Sequence, residues 1–203
     1  MEPISLGPPR EERADAARNR AHLLQVARAM VDELGVDKVT MDGLAARAGL
    51  GKGTVFRRFG TRAGIFYGLL DEEETQFQQR LLTGPPPLGP GAPPARRLVA
   101  FGRARLEFLV ANSALCRAAI DPGQPIPMGQ SPSRLHVHTM LREACPDIAD
   151  HRTLTLQLLA ALEGPILLYV HAPDKIDPGP LVDSLATGWQ ILIERVCGCP
   201  SGH

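Results

Sequence analysis

The stretch TMDGLAARAGLGKGTVFRRFGTR, from Thr40 to Arg62, narrows this chain to one local architecture before anything else is considered. Thr40 and Asp42 are side chains that accept from the free N–H groups at a helix start. Leu44, Ala45 and Ala48 then give that helix an apolar inner side, and Ala45 is small enough for a second helix to cross close by. Gly49 supplies the left-handed residue that ends a helix at least cost, with Leu50 packing under the turn. A second helix follows over about Gly51 to Phe59. Val55 and Phe59 point inward at i, i+4, which leaves Lys52, Gly53, Thr54, Arg57 and Arg58 outside. Two short helices joined by a tight turn form a helix-turn-helix, whose second helix is built to enter the major groove of DNA.

Charge points the same way. Between Gly43 and Leu70 stand Arg47, Lys52, Arg57, Arg58 and Arg62 and no acidic residue, as suits a surface facing phosphates. An ordinary helical hairpin with a solvated basic side would show the same charge. The capping, small-residue and glycine positions falling in register favour DNA binding.

The run AARAGLGKGTVFRRFGTRAGIF closely resembles the DNA-binding motif of the TetR family of bacterial transcriptional regulators. The resemblance is specific over about Arg18 to Leu81 and architectural beyond. Three departures stand out. Gly51 replaces a usual serine and so removes one helix cap. Phe56 stands where a tyrosine commonly offers its hydroxyl to a phosphate. Arg62 and Ala63 replace a Lys-Glu pair. The resemblance implies Lys52 and Thr54 at base edges, Arg57 and Arg58 at bases or phosphates, and Thr40 and Arg62 at phosphates. Arg47, Gly53 and Phe56 complete the expected DNA-facing set.

Residues 1–62 hold 11 Lys and Arg against 8 Asp and Glu, and the remainder holds 11 against 14. A modestly basic head on an acidic body fits a DNA reader whose second half stays off the phosphates. Residues 1–15 have the composition of a flexible arm. A basic arm can reach into a minor groove, but this one is mixed in sign. Residues 16–34 repeat Leu24, Ala27, Val31 and Leu34 at helical spacing and would brace the motif, giving a DNA-binding domain over residues 16–62. Arg18 and Arg20 near its start could touch phosphates or simply be solvated.

Thr61 caps a connecting helix over about residues 63–82, with Phe66, Leu69, Leu70, Phe77 and Leu81 inward. Its four consecutive carboxylates, Asp71 to Glu74, point around the helix and read as a solvated face rather than a metal site. Residues 83–94, rich in proline and glycine, form a loop. Helical patterns follow at about residues 95–111, 113–120, 133–144, 148–171 and 181–196 within a body of residues 95–197, and residues 198–203 are a tail. No strand or repeat is evident, so the fold class is all-α.

The 148–171 pattern is apolar nearly all round and must be covered on more than one side, and Gly164-Pro165 implies a kink. Together with the last helix it predicts a four-helix homodimer interface through Leu158, Leu162, Leu181, Leu185, Trp189 and Leu192. A ligand cavity between helices would draw on Phe101, Phe108, Met128, Met140, Tyr169 and Trp189, with Arg105, His136, Gln157 or Glu163 as polar contacts. Each of these is, taken singly, equally explicable as core or surface.

Four cysteines in 203 residues make no disulfide framework, and with no signal peptide or membrane span they read as reduced thiols of a cytoplasmic protein. His136 and His138 point apart on a helix. Cys197-x-Cys199 with His203 could hold a soft metal but lacks a further matched ligand pair, so no metal or other cofactor is expected. Phosphate-loop, nucleophile-elbow and zinc-protease motifs are absent. The expected protein is therefore no enzyme. It is a homodimeric repressor that binds near-palindromic double-stranded operator DNA and is relieved by an apolar or aromatic small molecule. A helical carrier or an enzyme with an unadvertised site is the alternative.

Overall fold

The computed structural model describes residues 10–120, 132–170 and 178–198. Among these, nine α-helices and one short 3₁₀ turn account for the regular structure, and no strand occurs. The described residues divide into two compact units within the fourth helix, after Leu70.

The head holds α1 (Arg10–Leu34), a 3₁₀ turn (Val36–Lys38), α2 (Met41–Ala48), α3 (Lys52–Phe59) and the first turns of α4 (Arg62–Thr83), with residues 118–120 counted alongside it. Burial in α1 begins at Leu23, followed by Leu24, Ala27 and Met30. The helix itself starts at Arg10, well before the expected residue 16, because a run rich in Ala, Glu and Arg propagates a helix without needing a buried face. Leu34, expected on the buried stripe, is exposed.

α2 and α3 are joined as the sequence predicts. Thr40 is the N-cap of α2, its hydroxyl accepting from the Gly43 N–H at 3.0 Å. Gly49 adopts φ 66°, ψ 27°, its N–H reaching the Ala46 carbonyl while the Leu50 N–H reaches that of Ala45. This paired closure requires the left-handed residue. Leu44, Ala45, Val55 and Phe59 are buried, as are Ile65, Phe66 and Leu69 of α4. Thr61 caps α4 by accepting from the Gly64 N–H.

The body contains the rest of α4 with α5 (Pro94–Ala111), α6 (Ser113–Ala118), α7 (Pro132–Ala144), α8 (His151–Val170) and α9 (Pro178–Val196). Pro94 opens α5 at its first turn, where a missing N–H costs nothing. α8 begins at His151 rather than 148, because Asp150 accepts from the Thr153 N–H and sets the start there. Pro165 lies inside α8.

One apolar cluster fills the body, drawn from Phe77, Leu98, Phe101, Leu106, Val137, Leu141, Leu158, Ile166, Trp189 and Ile193 among others. Trp189 donates its ring N–H to the Leu98 carbonyl at 2.7 Å. Its indole lies so close to Gly102 that a Cβ there would sit 2.0 Å from the ring, which is why α5 has a glycine in mid-helix. Leu158, Leu162 and Trp189 are thus core residues of this chain, not the interface positions predicted from their spacing. A helical stripe reports that a face is buried, not which chain buries it. Leu181 and Leu185 are half-buried against the same cluster, and Leu192 remains 36% exposed.

Two further expectations are corrected. Cys145 and Cys197, just beyond the ends of α7 and α9, form a disulfide with Cα atoms 5.2 Å apart, so these thiols are not free. The pair is 52 residues apart in sequence, a spacing that carries no signal. Cys197 is thereby taken from the tail metal site considered with Cys199 and His203, which both lie outside the described residues. Glu74 is the other correction: it turns inward. One Glu74 oxygen accepts from Arg105 at 2.6 Å and the other from the Ser133 hydroxyl at 3.1 Å.

Candidate nucleic-acid interface

α3 is eight residues long and splits cleanly by side. Val55 and Phe59 are buried, Thr54 is half-buried, and Lys52, Gly53, Phe56, Arg57 and Arg58 are exposed. Gly51 precedes the helix without a side-chain cap, as expected once serine is absent there. The N-terminal N–H groups of α3 and its side-chain cations therefore stand at one surface, the arrangement that binds anions.

The head also supplies partners for its own cations. Lys52 Nζ lies 2.7 Å from an Asp42 oxygen, and both side chains are largely exposed. Arg47 pairs with Glu33. That contact holds the Glu33 carboxyl below its ordinary range and Arg47 above its own, the side-chain hydrogen bond being the larger cause in each. Arg57 Nε donates to the Gly53 carbonyl of the preceding turn at 3.3 Å. Thr40 uses its hydroxyl oxygen as a cap acceptor, which leaves the hydroxyl hydrogen to donate outward.

Arg62, expected at a phosphate, is turned onto its own head. Its Nε donates to the Val39 carbonyl and its Nη2 to that of Val36, while the guanidinium lies 4.8 Å from the Phe66 ring centroid. Arg20 similarly covers the Phe59 ring, at 5.6 Å. Neither Asp42 nor Glu33 was singled out as an ion partner from sequence; pairs 10 and 14 residues apart have no helical period to betray them.

Between α2 and α3 the head surface sinks into an open depression of about 500 Å³ lined by Met41, Asp42, Lys52, Gly53, Phe56 and Arg57. Met41 and Asp42 are the lining residues outside the DNA-facing set expected from sequence.

Of the expected ligand contacts in the body, Phe101, Met140 and Trp189 are buried in the core cluster and Phe108 packs against it half-buried. Arg105 is buried between Glu163 and Glu74, with the Phe108 ring 4.9 Å from its guanidinium. Burial opposes its charge, but the two carboxylates outweigh that and hold Arg105 above its ordinary value. His136 stacks on Phe101 at 5.5 Å, and its buried Nε2 has no hydrogen-bond partner in the protein. Gln157 is exposed on α8. Met128 and the Tyr169 side chain lie outside the described residues. Among the described residues no group of His, Cys, Asp or Glu is arranged to hold a metal, and no helix is long and apolar enough to cross a membrane.

The family model described as "Bacterial regulatory proteins, tetR family" matches residues 23–68, the span of the buried part of α1 through the first turns of α4. An HTH-type transcriptional regulator of Staphylococcus aureus (strain bovine RF122 / ET3-1) is 31% identical over 71 residues, covering 33% of this chain and 38% of that protein. The match to such curated relatives thus spans well under half of their length. A TetR-family transcriptional regulator from Pectobacterium atrosepticum superposes with a TM-score of 0.71 at 19% identity, over 91% of this chain and 96% of that one. NalD, the secondary repressor of the MexAB-OprM multidrug efflux pump in Pseudomonas aeruginosa, superposes with a TM-score of 0.51 at 17% identity, over 87% and 95%. At those identities the likeness is one of fold.

Proposed function

We propose that the chain is a transcriptional regulator of the TetR family and works as a homodimeric, ligand-relieved repressor, a reading supported by the tetR-family match over residues 23–68 and by the all-α fold. The observation that carries this reading is the division of α3: an apolar side that fixes the helix in the head, and an outer side of Lys52, Gly53, Thr54, Phe56, Arg57 and Arg58. Lys52 and Thr54 reach base edges in the major groove, Arg57 and Arg58 reach bases or phosphates, and Thr40 and Arg47 hold the backbone from α2. Two heads in a symmetric dimer read two half-sites of a near-palindrome separated by one or more helical turns.

The body would take an apolar or aromatic effector among α5, α7 and α8, near Arg105 and His136. α4 contributes residues to both units and would transmit the change. An effector acts only through its differential affinity for the two conformations. A hundredfold loss of operator affinity corresponds to about 2.7 kcal/mol of coupling, within the usual range.

Selection from a random duplex pool on immobilised protein, followed by fluorescence anisotropy across a salt series, tests the DNA reading. The expected result is one enriched near-palindrome, bound with log affinity falling linearly in log salt. Absence of salt-dependent affinity for any duplex would sink it. Effectors found by thermal shift should then weaken operator binding; tight binders that leave it unchanged would make the protein a constitutive DNA binder.

A further inference from the structure

Phe56 is 65% exposed on α3, although its neighbours Val55 and Phe59 are buried. A phenyl ring has no hydroxyl with which to donate to a phosphate, so its gain on contact must come from covering an apolar group. It stands on the depression between α2 and α3 together with Met41 and Gly53.

Gly53 is an independent sign. It lies inside α3, where glycine is the poorest helix former after proline. A Cβ built there meets nothing within 4 Å, so no contact inside the protein calls for the missing side chain. Gly53 lines the depression, and without a side chain that part of the lining stays open.

Asp42 lines the same depression and pairs there with Lys52 at 2.7 Å, so that cation already has a carboxylate partner and is less free to take a phosphate. The apolar part of the lining is left to meet a base edge. Among the groups that base pairs present in the major groove, the thymine C5-methyl is the apolar one.

Resting on the assignment of α3 as the recognition helix, we propose that Phe56, Met41 and the open position at Gly53 form an apolar receptacle for a thymine C5-methyl group. A T·A pair at one fixed position of each half-site is then a specificity determinant of this protein, read by shape and burial rather than by hydrogen bonds.

The test uses the full chain and a duplex obtained by selection, with each thymine replaced singly by deoxyuridine, which deletes only the methyl. Losing one buried methyl should weaken binding about fourfold at one thymine per half-site. Other thymines should change little. Phe56→Ala should weaken the thymine duplex and bring the thymine-to-deoxyuridine ratio at that position to about one, because the same contact cannot be lost twice. Gly53→Ala, which favours the helix and fills the floor, should give the same collapse of the ratio. Thermal unfolding of Phe56→Ala should match that of the parent, its ring being exposed.

Tight, sequence-specific binding with no deoxyuridine-sensitive position would overturn the proposal and assign the ring to the sugar-phosphate backbone. A sensitivity that persists unchanged in both variants would also overturn it, placing the methyl against another residue. Binding to no duplex at all would instead overturn the assignment of α3 to DNA, so the two failures are distinct.

Discussion

Arg62 donates from Nε to the Val39 carbonyl at 2.7 Å, fastening the first residue of α4 to the strand of backbone that leads into α2. A second donation, from Nη2 to the Val36 carbonyl, closes the clamp, and the Phe66 ring covers one face of the guanidinium. The same side chain that is expected from sequence at a phosphate is therefore bonded to the backbone on the N-terminal side of Thr40, the cap of α2.

That geometry makes Arg62 chiefly a stability residue. Hydrogen bonds from a charged donor contribute about 1.5–3 kcal/mol, so Arg62→Ala should destabilise the head by roughly that amount. Arg62→Lys cannot reproduce the fork and should recover only part of it. Urea unfolding followed by circular dichroism reads the effect. An unchanged midpoint accompanied by a flatter salt dependence of DNA binding would return Arg62 to the phosphates.

Lys52 and Asp42 make a second pair with a functional consequence. Both side chains are largely exposed, so the pair adds little to stability. In the proposed DNA complex the carboxylate would oppose phosphates while holding Lys52 in place. Asp42→Asn should strengthen binding to unrelated duplex and steepen the salt slope by about one unit, as one more cation becomes free to release a counterion. Lys52→Ala should cost about 1–3 kcal/mol on the operator alone. A Lys52→Ala loss that is equal on every sequence would remove Lys52 from the base edges.

The head was legible because its rules are local. Thr40, Gly49, Thr61 and the Val55–Phe59 pair each announce a cap, a turn or a buried face within four residues, and each lies where that reading puts it. The body was legible only as helices. Nothing in sequence pairs Arg105 with Glu74 and Glu163, 31 and 58 residues away, or sends the Trp189 N–H to Leu98, 91 residues away. The placing of Leu158, Leu162 and Trp189 at an interface is corrected for the same reason: periodicity marks them as buried but is silent on whether an intramolecular or a partner surface covers them. The position of the recess beside Phe56 was equally hidden, since Met41 and Gly53 reach it from different helices.

His136 gives a pH prediction. Burial, and secondarily the Arg97 charge, lowers its pKa from the ordinary 6.5 to about 4. Between those values the unfolded chain takes up a proton that the folded chain refuses, so stability falls as pH drops through that window and is unaffected above it. His136→Phe keeps a ring beside Phe101 and removes both the proton uptake and the unpartnered buried nitrogen. The urea midpoint of this variant should fall less between about pH 7.5 and about pH 5 than that of the parent. Equal losses in the two proteins would show that other groups carry the acid sensitivity.

The last prediction concerns assembly, where the structure changes which residues to mutate. α8 and α9 keep Leu156 and Ile191 46% exposed and Leu192 36% exposed, beyond what their own core covers. Ala160, Ala161 and Gly188 are exposed on the same two helices, and such small side chains let a partner's helices approach closely. In the homodimer proposed here these outer faces meet their symmetry copies. Ile191→Glu and Leu192→Glu then bury an unpaired carboxylate, which commonly costs several kcal/mol. Sedimentation should show folded monomers that bind a single half-site but lose tight binding to the full palindrome. Trp189→Glu should behave differently, since that indole fills the protomer's own core against Gly102: it should unfold the body rather than divide a dimer. Folded, unchanged dimers of both the Ile191 and the Leu192 variants would move the interface off these faces.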